Sequence, residues 1–197
     1  LDPVRFLSNH SSGKQGYAIA AACAERGANV TLVSGPVSVP APAGVNVVKV
    51  ETARDMLAAC EAALPADVFV SVAAVADWRP AEAADKKLKL KSGDGLSNIS
   101  LVENPDILKT ISTKANDRPA LVIGFAAETH DMVDHARAKL KRKGCDWIIA
   151  NDVSGDVMGG DQNQVTLFFS DTEDTSPTLP KDSIARWIVE RIAKHFA

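Results

Sequence analysis

Apolar residues fall along this chain in short runs, and between most runs the spacing changes to the i, i+3, i+4 recurrence of a helix with one buried face. Residues 29–34 (NVTLVS), 45–50 (VNVVKV), 68–73 (VFVSVA), 121–126 (LVIGFA), 147–151 (WIIAN) and 164–169 (QVTLFF) read as strands, with 96–102 a weaker one. The run at 68–73 is continuous, as in a strand covered on both faces. Residues 14–26, 52–63, 106–114, 131–143 and 183–196 read as helices. Ser11 or Ser12 is placed to cap the first, and Gly27 to stop it. Thr52, with Asp55 three residues on, makes a capping box in which Asp replaces Glu. Asn104 caps the third helix with Pro105 at its first position, and Gly144 ends the fourth. Strands alternating with helices imply an α/β fold, a doubly wound and mostly parallel sheet with helices on both faces. Three stretches look irregular: 35–44, 74–95 and 154–163. The middle one is long for a compact domain, and such loops are usually functional or mobile.

Composition narrows the classes. The chain's 197 residues suffice for one domain with a full core. Apolar residues at 46% and charged residues at 24% are ordinary for a globular protein. No apolar run reaches the ~18 residues of a membrane span. A net charge of −3 argues against nonspecific nucleic-acid binding, which needs a basic surface. Cys23, Cys60 and Cys145 form no CxxC pair, so buried, reduced thiols in a cytoplasmic protein are expected. His10, His130, His135 and His195 show no metal-ligand spacing, and no protein-ligated metal is expected.

Open α/β sheets bind ligands beyond the C-terminal ends of their strands. "AVADWRP", with Asp77 and Arg79, follows the strand at 68–73. "AETHD", with Glu128, follows 121–126; "NDVSGD" follows 147–150; "GP" follows 30–34. Any one of these turns can be small simply to relieve crowding, but together they read as a binding edge. The lysines of "KKLKLK" (Lys86, Lys87, Lys89, Lys91) are either a solvated face or, in a loop able to close, point charges for a polyphosphate. "NPDIL" (104–108) caps its helix, turns backbone N–H groups toward an anion, or does both. Ser11, Ser12 and Gly13 precede a helix N-terminus, which favours a phosphate or carboxylate by about 0.3–2 kcal/mol, or they simply cap it. Asn9 lies too early to cap. A carboxamide there can donate to a reacting carbonyl oxygen.

The commoner enzymes of such folds are missing their signatures. GxGxxG is absent, and the strand ending at Ser34-Gly35 lacks the acid that holds a ribose. Tyr17, the only tyrosine, has Ala21 four residues on, so no Tyr-x-x-x-Lys motif exists. Gly13-Lys14-Gln15 fails as a P-loop, and no GxSxG elbow is present.

With these residues assembled, the chain resembles the phosphopantothenate–cysteine ligase family, the C-terminal synthetase half of the bacterial bifunctional coenzyme A biosynthesis protein. The carriers are "DPVRFLSNHSSGKQG", "ANVTLVSGP", "AAVADWRP", the lysine loop, "NPDIL", "GFAAET", "ARAKLKRKG" and "ANDV", and they span essentially the whole chain as one domain. The resemblance implies a two-step ligation with CTP. The carboxylate of 4′-phosphopantothenate displaces pyrophosphate to form an acyl-cytidylate, and the amine of L-cysteine then displaces CMP. It implies Mg²⁺ (or Mn²⁺), held mainly by the triphosphate. It assigns Asn9 to the acyl-cytidylate and Lys87 to the triphosphate and leaving pyrophosphate, with Lys86 and Lys89 open as alternatives because the loop departs from the family's usual Lys-Ile-Lys-Lys. It assigns Ala73, Asp77, Pro105, Asp106, Ile107, Leu108, Phe125, Lys139 and Lys143 to CTP. Ser11, Ser12 and Gly13 fall to phosphopantothenate. The family's Gly-rich strand-turn precedes "DPVR", so a central strand and a phosphate-contacting turn are expected ahead of Leu1. Fusion to a flavin-dependent decarboxylase is implied for the full protein, with no flavin site in this domain. A homodimer is implied, for which the long loop and the segment 165–169 offer chain to cross a subunit boundary. The rival reading is a non-catalytic, nucleotide-binding regulatory module of Rossmann-like fold, which would have no use for Asn9.

Overall fold

A computed structural model describes residues 1–87, 99–128, 131–152, 162–170 and 172–197. Lys89, Lys91, Thr129, His130, the early part of the weak strand at 96–102 and most of the stretch 154–163 lie outside the described residues. The element order is α1 (Lys14–Glu25), β1 (Val30–Ser34), β2 (Val45–Lys49), α2 (Ala53–Ala62), β3 (Val68–Ser71), β4 (Trp78–Pro80), β5 (Leu101–Glu103), α3 (Ile107–Ser112), β6 (Leu121–Glu128), α4 (Met132–Lys143), β7 (Trp147–Asp152), β8 (Gln162–Asn163), β9 (Val165–Phe169), β10 (Thr172–Thr175), β11 (Leu179–Pro180) and α5 (Lys181–His195).

The main sheet has five strands in the order β10-β9-β7-β6-β3. β3, β6 and β7 run parallel, whereas β9 and β10 are antiparallel additions at one side. The period of two along β6 and β7 sorts their side chains between two cores. Leu121, Ile123, Trp147 and Ile149 face α1 and α5, together with Val165 and Leu167 of β9. Val122, Ala126, Ile148 and Ala150 face the other way, toward Leu108 and Ala136 of α3 and α4. A third cluster joins Cys60 of α2 to Ile107 and Ile111 of α3. The expected α/β architecture with helices on both faces is therefore present.

Several local expectations are corrected by long-range partners. β1 and β2 pair in parallel with each other and, among the described residues, with no other strand, so the sheet is divided rather than continuous. β3 consequently forms one edge of the five-stranded sheet, and all its residues are only half-buried instead of fully covered. The stretch after it is not wholly irregular, because Trp78–Pro80 pairs antiparallel with Leu101–Glu103. Val165–Phe169 is flanked by β7 and β10, and its first four residues are buried, so it is not free to cross a subunit boundary. The N-cap of α1 is Gly13, at φ 72°, rather than either serine. Asp106, not Asn104, caps α3, because the Asn104 carboxamide is bound elsewhere. The Thr52–Asp55 box forms as read.

The N-terminal ends of β6 and β7 are tied by one carboxylate. Asp146 accepts from the Val122 N–H at 2.7 Å and from Arg118 at 3.0 Å, while its own N–H donates to the Val122 carbonyl at 2.9 Å. Arg118 also donates to the carbonyls of Ser112 and Pro119. Val122 is fully buried, so removing its acceptor strands a backbone N–H. Asp146→Ala should lower the unfolding free energy by about 1–3 kcal/mol in a urea titration. A change under a few tenths would show that the N–H finds another partner.

Candidate active site

The candidate edge starts where β3 ends. β3 stops at Ser71, and the chain then runs without regular structure to Trp78. Three successive carbonyls of that run receive hydrogen bonds from distant residues. Asn9 Nδ2 donates to Val75 O at 3.2 Å, Asn104 Nδ2 to Ala76 O at 2.8 Å, and Asn104 N to Asp77 O at 2.8 Å. The Asn9 carboxamide is thus spent on tertiary structure and not on capping, with one N–H left for a ligand. Ala73 and Asp77 are exposed on this run.

From Asn104 the contacts continue into "NPDIL". Asp106 accepts from the Lys109 N–H at 3.1 Å and pairs with Lys143 Nζ. The first turn of this six-residue helix is therefore served in part by a carboxylate of the chain itself. Burial opposes ionisation of Asp106, but the bonds from Lys143 and the Lys109 N–H outweigh it, and its pKa is held below the ordinary value. Ile107 and Leu108 are buried, so any ligand meets their backbone and not their side chains. Leu108 sits against Gly124, where a Cβ would come within 2.6 Å of Leu108 Cδ2. That close approach sets α3 beside Phe125, whose carbonyl accepts from Lys139 Nζ at 2.7 Å. Lys139 and Lys143, four apart on α4, thus reach the third and second nucleotide segments assigned by the resemblance.

The opening loop sits at the start of α1. Gly13 is needed twice: its φ is positive, and a Cβ there would lie 2.9 Å from Val37 Cγ1. The Ser11 and Ser12 hydroxyls accept from the N–H groups of Gly13 and Lys14 at a long 3.4 Å each. Beside them is a cleft of about 490 Å³ lined by Lys14, Tyr17, Pro40, Pro42, Lys181 and Asp182. Lys87 is exposed and adjoins the undescribed stretch 88–98; no described contact joins it to the Asn9–Lys143 line.

Two features had no local signal. Arg79 donates to Glu103 O and, at 3.5 Å, to Asn104 Oδ1, which requires the β4–β5 pairing. Tyr17, excluded from a lysine motif by spacing, nonetheless accepts from Lys49 Nζ at 2.8 Å and bonds Ser34 Oγ at 2.9 Å. Burial raises the Tyr17 pKa, but these two partners outweigh it and leave it lowered. Cys23, Cys60 and Cys145 are unpaired, and burial pushes the thiols of Cys60 and Cys145 up to about 11. No helix among the described residues is long and apolar enough to cross a membrane.

A family model, the DNA/pantothenate metabolism flavoprotein C-terminal domain, matches residues 1–196. The chain belongs to this family. It is 46% identical over 195 residues to the bifunctional coenzyme A biosynthesis protein CoaBC of Vibrio vulnificus strain CMCP6, covering 98% of this chain and 48% of that protein. It is also 46% identical over 201 aligned positions to CoaBC of Escherichia coli K12, covering 100% of this chain and 49% of that protein. The chain thus spans about half the length of the curated relatives it matches. A crystal structure of a CoaBC C-terminal domain superposes with a TM-score of 0.80 at 39% identity, covering 99% of this chain and 88% of that one.

The Asp106–Lys143 pair generates a pH test. A carboxylate whose folded pKa is depressed adds stability above its unfolded pKa, and this is lost as pH falls through the folded value. Both groups are partly exposed (side-chain exposures 40% and 19%), so the pair is worth at most about 1 kcal/mol. Lys143→Met should cost that much at neutral pH, and the deficit should shrink between about pH 5 and about pH 2 in urea midpoints. A deficit independent of pH would mean that the loss comes from packing.

Proposed function

We propose that this chain is a phosphopantothenate–cysteine ligase of coenzyme A biosynthesis. It uses CTP, passes through an acyl-cytidylate and releases pyrophosphate and then CMP. Family membership and the bifunctional relatives support the ligase reading. The observation that carries the mechanism is the run Val75–Asp77. There the residue assigned to the acyl group, Asn9, and the segment assigned to the nucleotide, entered at Asn104, bind neighbouring carbonyls of one strand end.

In the first step a carboxylate oxygen of 4′-phosphopantothenate attacks the α-phosphorus of CTP, and the bond to the β-phosphate oxygen breaks. Lys87 supplies positive charge to the departing pyrophosphate, with Lys86 and Lys89 the alternatives. Backbone from Pro105 to Leu108 and the Phe125 segment hold the nucleotide, with Ala73, Asp77, Lys139 and Lys143 around it. In the second step the cysteine amine attacks the acyl carbon, loses a proton and expels CMP. Charge builds on the carbonyl oxygen, and the second N–H of Asn9 Nδ2 donates to it. Ser11, Ser12 and Gly13 hold the phosphopantothenate phosphate at the start of α1.

Among the described residues no three His, Cys, Asp or Glu side chains converge as metal ligands. We take the divalent ion to travel with the triphosphate, and no step here runs through it. The flavin-dependent half-reaction belongs to the rest of the bifunctional protein, and no flavin enters this chain's step. We place the protein in the cytoplasm and as a homodimer. Exposed apolar side chains available for its contact include Val4, Phe6, Leu7, Trp78 and Leu101, Phe6 by 75%.

Incubation with CTP, Mg²⁺, 4′-phosphopantothenate and cysteine should release pyrophosphate and yield the cysteine amide, with light scattering of the same sample showing a dimer. A chain that binds CTP but never turns it over is the regulatory module instead. Asn9→Asp keeps the size but removes the donor. It should release pyrophosphate yet stall, accumulating the acyl-cytidylate by mass spectrometry, with the second step slowed as if about 2.7–4 kcal/mol were lost. Product at the wild-type rate would show that neither a donor to the acyl oxygen nor the bond to Val75 is needed for the reaction.

A further inference from the structure

Asn104 is absent from the set of residues assigned to substrates, yet it sits where the two substrate segments join. β4 and β5 pair antiparallel with Trp78 opposite Glu103, so Asp77 falls opposite Asn104 at the next position of the ladder. The Asn104 N–H to Asp77 O bond, 2.8 Å, is that extra rung. Beyond it the ladder has no further backbone donor, because the next residue is Pro105. The Asn104 side chain takes over, donating through Nδ2 to Ala76 O at 2.8 Å. Its Oδ1 accepts from Arg79 Nη1 at 3.5 Å. A carbonyl on one side and a guanidinium on the other fix which way the carboxamide points. Asn104 is half-buried, and two residues further on Asp106 begins its contacts with Lys109 and Lys143.

We infer that Asn104 is a positioning residue for nucleotide binding: its carboxamide N–H extends the β4–β5 ladder to Ala76 and so fixes Asp77 against the Asp106–Lys143 end of the site. The inference rests on the reading of this edge as the CTP site. It does not make Asn104 a ligand of the nucleotide. The donor, not the acceptor, carries the role. Aspartate at this position would keep an oxygen toward Arg79 and improve that contact, but would set a second oxygen against the Ala76 carbonyl. Alanine would remove both contacts. If Arg79 were the partner that matters, aspartate would rescue what alanine loses.

The test compares Asn104→Asp and Asn104→Ala with wild type in CTP titration calorimetry, in steady-state KM and kcat for CTP, and in hydrogen exchange of a peptide covering residues 74–78 without ligand. Both variants should raise the Kd and KM for CTP about tenfold, the effect of one lost positioning contact near 1.4 kcal/mol, and change kcat less. Both should speed exchange in the peptide, while KM for cysteine stays at its wild-type value. In an Asp77→Asn background, Asn104→Ala should add little further loss, because the two act on one contact. Asn104→Asp with wild-type CTP affinity overturns the inference, as does full additivity with Asp77→Asn. Wild type that binds no CTP overturns the reading of the site itself, an outcome distinct from either. A variant that raises KM for CTP and cysteine alike, with a lowered melting temperature, would make Asn104 merely structural and also overturn the inference.

Discussion

Three consecutive carbonyl oxygens, those of Val75, Ala76 and Asp77, are the constraint on which the site depends. A chain segment leaving a strand without regular structure must satisfy its polar groups somewhere, and here the partners come from both ends of the site. Asn9 arrives from the N-terminal loop and Asn104 from the end of β5. Under the proposed function, the same bonds that satisfy the backbone hold the acyl side and the nucleotide side at one separation. Ligation needs that, since a carboxylate must meet the α-phosphate in line and an amine must later meet the acyl carbon.

Behind this edge the fold supplies rigidity. The β6–β7 pair is buried between two cores and tied at its far end by Asp146 and Arg118. Gly124 lets α3 seat Leu108 directly on β6. Asp106 and Phe125 are then held by lysines of one helix, α4. Lys139 and Lys143 thus act as struts between the segments that the proposed function assigns to the nucleotide.

Much of the fold was legible because its signals are local. Gly27 and Gly144 take positive φ where the helices end, Thr52 and Asp55 cap α2, and the alternation along β6 matches its two cores. What failed to show locally was decided by distant partners. Asn and Asp are near-equal caps, so sequence had no means of preferring Asp106 over an Asn104 already bound to Ala76. The β4–β5 pairing joins residues on either side of the lysine loop, and the division between β1–β2 and the main sheet is equally non-local. The Tyr17–Lys49 contact was invisible for the same reason, since a motif search counts spacing along the chain and this pair is made across it. Of the site, motif resemblance brought out the residue types, and the structure showed which of them touch. Lys87 is exposed at the border of the described residues, and Lys89 lies outside them.

The central claim is that this edge activates a carboxylate by making it an acyl-nucleotide. Isotope transfer tests it most directly. A single turnover of the chain with CTP, cysteine and 4′-phosphopantothenate labelled with ¹⁸O in its carboxylate should leave one ¹⁸O in the phosphate of the CMP released. CMP without the label, alongside formed product, would contradict the account.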